Sequence, residues 1–165
     1  MKILFLLFIG FNLIYLPFTI HYVYGYVFLW CLFYQDYKTM YISKRWILFV
    51  FLFYLISHSY IPIIDSFCTG FFFLCLTGIM KYLHPNWLGS ADVCFLTFFG
   101  FFLGYQRMFI ALEISVMIGF IWMLVLYMQK KECILPYLSC LSIGVYIAWI
   151  KGYTIFDYVC NFIKF

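Results

Sequence analysis

A chain of 165 residues that is 68% hydrophobic and only 10% charged cannot clothe a water-facing surface, since a soluble domain carries about 25% charged residues. A mean hydropathy of +1.06 also excludes intrinsic disorder, which requires low hydrophobicity. The net charge of +4, with no long basic run, excludes a nucleic-acid footprint, and what remains is an integral membrane protein of one compact unit.

Residues 3–35 are nearly all apolar, interrupted by Asn12, Pro17, Thr19 and His21. As one helix they would measure about 50 Å, too long for a single crossing of a hydrocarbon core roughly 30 Å thick. The stretch therefore divides near 17–21 into two short helices. No small-residue cleavage site follows the first run, which reads as an uncleaved membrane segment. Further helices are predicted at 45–60, 63–83, 92–105, 108–128 and 134–150. The expectation is an all-α polytopic bundle of six or seven transmembrane helices. It comprises an N-terminal membrane segment at 1–20, a core at 21–150 and a short amphipathic C-terminal tail at 151–165.

Orientation follows from the placement of Lys and Arg, which favour the cytoplasmic side. With seven crossings and the N-terminus inside, the inner side receives Lys2, Lys38, Lys44, Arg45, Lys81, Lys130 and Lys131. The outer side receives Arg107, Lys151 and Lys164. Six crossings would leave the later helices oriented the same way.

The acidic residues carry the chemistry. Asp36 closes the second helix and Asp92 opens the fifth, so two crossings separate them and both fall at the inner interface. Two close carboxylates cannot both ionise cheaply, so one keeps a proton. The ionised partner can then take a proton from water while the protonated one donates to a carbonyl oxygen. The alternative is that each Asp merely sits at a helix end. A negative charge suits a helix N-terminus, which fits Asp92, whereas Asp36 lies at the wrong end of its own helix for that benefit. Asp65, just after Pro62, reads as a cap or first-turn residue. Glu113 lies inside the sixth helix, where a proton relay with Asp36 and Asp92 would make an ion-coupled transporter. Glu132 and Asp157 read as solvated charges. His21, His58 and His84 form no metal-ligand spacing. The seven cysteines contain no C-x-x-C pair and read as small apolar residues. Gly100 and Gly104, in G-F-F-L-G, permit close helix packing. Trp46, Trp87 and Trp149 read as interfacial residues.

Three stretches in order resemble the type IV prepilin peptidases, membrane-embedded aspartyl proteases with a G-x-G-D motif. They are D-Y-K-T-M-Y-I-S-K-R-W (36–46), L-G-S-A-D-V-C-F-L (88–96) and K-K-E-C-I-L-P-Y-L-S-C-L-S-I-G (130–144). The resemblance spans about 21–150 and is to the short forms, without the cysteine-rich N-terminal insertion. It implies that Asp36 and Asp92 are the catalytic pair, and that the leader peptide of a prepilin or pseudopilin precursor is cleaved at the cytoplasmic face of the inner membrane. The substrate would serve a pilus, secretion or competence machine. Gly89, Ser90 and Ala91 would form a slim loop that lets an extended substrate approach. Beyond lipid and the precursor no partner is implied, and no metal or cofactor is implied for cleavage; N-methylation stays open, as does a catalytically inactive scaffold. Three positions depart from the family pattern: Ala91 stands for the second Gly of G-x-G-D, Ser43 for a Pro and Cys94 for a Lys. If position 91 required a positive φ, Ala would cost roughly 1–2 kcal/mol there.

Overall fold

The computed structural model describes residues 20–43, 46, 62–85, 88–130 and 135–163. The segments predicted at 3–19 and 45–60 lie outside the described residues, apart from Trp46. Among the described residues there are four helices and no strand: α1 (Ile20–Thr39), α2 (Ile63–Leu83), α3 (Ser90–Met128) and α4 (Tyr137–Ile163).

Helix boundaries follow the prolines. Pro62 precedes α2, Pro85 follows it, and Pro136 precedes α4. Proline is tolerated at a helix start but cannot continue one, and it pushes the residue before it out of the helical region. His84, just before Pro85, is accordingly extended at φ −135° and ψ 80°. α2, α3 and α4 are each long and apolar enough to cross a membrane. Ile64, Phe67, Phe71, Phe120 and Ile121 point outward from them, an arrangement that water penalises and hydrocarbon accepts. The protein is an all-α membrane bundle.

α3 is not one straight rod. As such its 39 residues would extend about 58 Å. Gly104 interrupts it at φ 69° and ψ 176°, a conformation open essentially to glycine alone. The contacts show that the chain doubles back there. Ser90, at the start of the first arm, bonds Lys81, and Tyr105, just past its end at Gly104, bonds Asp65, so the first arm runs antiparallel to α2. In the second arm, Arg107 packs on Gly152 and Ala111 on Gly144, while Gly119 faces Leu135. Asp92 and Leu135 also share one cavity wall. Residues 92 and 119 would lie about 40 Å apart along a straight helix, yet Leu135 is close to both. The two arms therefore correspond to the helices predicted at 92–105 and 108–128.

Packing uses small residues where backbones approach. Ser66, Thr69, Gly70 and Thr77 form one buried stripe on α2. A Cβ placed on Gly100 would stand 3.2 Å from the Gly70 Cα and 3.3 Å from the Thr69 carbonyl oxygen. Such close approach is how membrane helices associate when lipid removes the hydrophobic drive between them. Gly144 sits tighter still, with the Ala111 carbonyl where its Cβ would be. α4 is the most enclosed of the three candidate spans. It presents Leu141, Val145 and Ala148 to the core, with Trp149 edge-on to Phe102 at 5.5 Å.

Several expectations change. Trp149, read as interfacial, is buried in the core against Phe102. The helix predicted to end at 150 continues to Ile163, because Gly152 fits under the Arg107 side chain and Ile155 and Phe156 pack on the core. The Arg107 guanidinium lies 4.0 Å above the Tyr153 ring on this extension. Asp65 does lie in the first turn of α2, but its Oδ1 also accepts the Tyr105 N–H at 3.3 Å. It thereby caps the second arm of α3, whose first amides are left unpaired by the reversal.

Candidate active site

Asp36 lies one turn before the end of α1. The chain leaves that helix through Met40, which adopts a left-handed φ of 52° and donates its N–H to the Asp36 carbonyl at 2.9 Å. Thr39 shapes the turn. Its Oγ donates to the Gln35 carbonyl at 2.9 Å and accepts the Tyr41 N–H at 3.3 Å. The turn brings Ile42 back into the core.

The Asp36 carboxylate is buried. Its Oδ2 accepts the Ser139 N–H at 2.7 Å and the Ser139 hydroxyl at 3.0 Å. Ser139 belongs to the first turn of α4, where backbone N–H groups lack intrahelical partners and the helix dipole favours negative charge. Asp36 is thus at the unfavourable end of its own helix and the favourable end of another. The third sequence stretch, Ile134-Leu-Pro-Tyr-Leu-Ser139, supplies that helix start.

Asp92 sits on the third residue of α3, with Gly89 as the N-cap. Its Oδ2 accepts the Gly89 N–H at 2.9 Å. This is the carboxylate half of a capping box; Gly89 has no side chain to complete the other half. Lys81, at the end of α2, bonds the Ser90 hydroxyl and places a positive charge within reach of Asp92.

These elements enclose one cavity of about 720 Å³. Asp36, Met40, Tyr41, Ile42 and Ser43 line it from the α1 exit. Gly89, Ser90, Ala91, Asp92, Cys94 and Phe95 line it from α3, and Leu135, Tyr137 and Leu138 from the start of α4. Asp36 and Asp92 are close enough for their charges to act on each other. Tyr137 lies within the field of Asp92 and hydrogen-bonds Ser115, and Cys140 lies within that of Asp36.

All five residues singled out from the sequence, Asp36, Gly89, Ser90, Ala91 and Asp92, meet here, together with the divergent Ser43 and Cys94. Ala91 is helical, and the positive-φ residues other than glycine are Met40 and Lys130 among those described. The slim loop expected at 89–91 is instead the start of α3, with Gly89 as its cap and Ser90 and Ala91 in its first turn, so the conditional strain at position 91 does not arise. Glu113 is exposed on the second arm of α3, away from the cavity, because Ala111 and Ser115 take the face toward Gly144. Asp157 is exposed on α4, and Glu132 and Cys133 lie outside the described residues. Among the described residues no three His, Cys, Asp or Glu side chains cluster as metal ligands. Sequence reasoning missed Ser139, Tyr137 and Lys81. The helix predicted from 134 begins instead at Tyr137, just past Pro136, and nothing local indicated that this start faces Asp36.

The model of the type IV leader peptidase family matches residues 23–124. The chain belongs to that family. The match takes in both aspartate stretches, and the third stretch, beyond its end, reaches the same cavity through the fold. The chain matches no curated protein and no solved structure.

Proposed function

We propose that this member of the leader peptidase family is an aspartyl endopeptidase that removes the leader of a type IV prepilin-like or pseudopilin precursor. The observation that carries the reading is the convergence of Asp36 and Asp92 on one cavity from different helices. Backbone donors hold each carboxylate, Asp36 through the Ser139 N–H on Oδ2 with Leu138 donating as well, and Asp92 through the Gly89 N–H on Oδ2. The other oxygen of each can then address a water molecule. The pair shares one proton. The ionised member takes a proton from the water as its oxygen bonds to the scissile carbonyl carbon, and the protonated member donates to the carbonyl oxygen. Collapse of the tetrahedral intermediate breaks the C–N bond, and the leaving amine receives a proton from the pair.

Gly89, Ser90 and Ala91 form the cavity wall along which an extended substrate would lie. Lys38 and Lys81 belong to the aspartate end of the helices, while Arg107 and Lys151 belong to the opposite end. This division supports a cytoplasmic active site in the inner membrane. The complete chain would cross six or seven times, using the apolar segments at 3–19 and 45–60. The substrate would serve a pilus, secretion or competence assembly.

Co-expression with a prepilin partner tests this, with leader loss read by mass. Asp36→Asn and Asp92→Asn should each abolish cleavage while the protein accumulates in the membrane. Full processing by either variant refutes the aspartyl mechanism.

A further inference from the structure

The Ser139 hydroxyl has one hydrogen and two acceptors within reach. Its Oγ stands 3.0 Å from the Asp36 Oδ2 and 3.1 Å from the Phe33 carbonyl oxygen. A hydroxyl donates once and accepts up to twice, so both contacts cannot be donations at the same moment. The second acceptor lies on α1, one turn before Asp36 itself. A carbonyl oxygen has two lone pairs, so Phe33 can serve its own helix and Ser139 together.

We infer that Ser139 is a positioning residue for Asp36, its hydroxyl exchanging acceptors as that carboxyl group gains and loses its proton. With Asp36 ionised, the hydroxyl donates to Oδ2, and charge makes this the stronger bond. When Asp36 is protonated, Oδ2 becomes a poorer acceptor and the hydroxyl turns to Phe33. No proton passes through Ser139; only its O–H bond rotates. The Ser139 N–H remains on Oδ2 at 2.7 Å and keeps the carboxyl group in place during the exchange. Both Asp36 and Ser139 are buried, so water cannot substitute freely for the hydroxyl. The other titratable groups facing Asp36 are Asp92 from α3 and Cys140 from α4, with Tyr41 and Tyr137 on the cavity wall. None of the hydrogen bonds to Asp36 comes from these groups among the described residues.

This inference rests on the peptidase reading for its catalytic consequence, and the test separates the two. Leader cleavage is measured for the full chain, Ser139→Ala and Ser139→Thr, alongside thermal unfolding in detergent. Ser139→Ala should lower kcat by about tenfold or more, the scale of one hydrogen bond to a charged group. KM should stay within about twofold, because the lost bond touches no substrate. Ser139→Thr restores the hydroxyl and should recover most of kcat; where its extra methyl prevents accumulation, the kcat and KM split of Ser139→Ala decides. In parallel, the infrared carboxyl band of Asp36, assigned by its loss in Asp36→Asn, should change frequency in Ser139→Ala. An unchanged band, or a kcat that falls only as far as unfolding explains, overturns the inference. A wild-type chain that leaves the leader intact while the band still shifts refutes the peptidase reading and supports the hydroxyl's coupling to Asp36.

Discussion

Replacing Gly104 by Ala gives opposite signs for the two shapes that α3 could take. Were α3 one continuous helix, Gly→Ala in its interior would stabilise by about 0.5–1 kcal/mol, because alanine loses less backbone freedom on folding. At φ 69° and ψ 176° an added Cβ instead costs about 1–3 kcal/mol. The two shapes thus differ by about 1.5–4 kcal/mol, a gap wide enough to measure. Gly78 is the internal control: it lies within α2, and a Cβ there meets nothing within 4 Å. Unfolding of the detergent-solubilised protein should show Gly104→Ala below the wild type and Gly78→Ala at or above it. Cleavage should fall with the Gly104 substitution, since the reversal sets where the second arm of α3 meets the start of α4. If Gly104→Ala is as stable as Gly78→Ala, the chain does not double back at Gly104 and the arrangement of the bundle is wrong.

Ala91→Gly should leave the cleavage rate unchanged or slightly lower, because position 91 is helical and glycine there loses up to about 1 kcal/mol of helix propensity; a several-fold gain in rate would show that the start of α3 must open. Gly144→Ala drives a methyl group into the Ala111 carbonyl, backbone against backbone, and should destabilise by about 1–3 kcal/mol while reducing cleavage through displacement of Ser139, as unfolding and rate measured together will show. Cysteines engineered at Thr39 and Tyr153, both exposed and at opposite ends of the bundle, should react with an impermeant reagent from opposite sides of the membrane, Thr39→Cys from the cytoplasm only; labelling of Thr39→Cys from outside would invert the proposed topology.

Composition and charge determined by themselves that this is a membrane protein, and the aspartate stretches pointed to its family. The apolar run between Pro62 and Pro85 placed both ends of α2, because proline acts locally whatever surrounds it, whereas the helix predicted from 134 starts only at Tyr137, past Pro136. The end of α4 was not legible in the same way: residues 151–163 hold their helix through Arg107 over Gly152 and through Ile155 and Phe156 on the core, contacts with sequence-distant partners. Gly104 could be read only as a small residue, since a membrane helix is apolar all round and its periodicity does not reveal which way it turns. Asp36 is the sharpest case. Its own helix offers it the unfavourable end of a dipole, and only the tertiary structure delivers the start of α4 to it, through Ser139, over a hundred residues later in the chain. Local chemistry decides where a helix starts and stops; which start meets which carboxylate is decided by how closely the small residues let the helices approach.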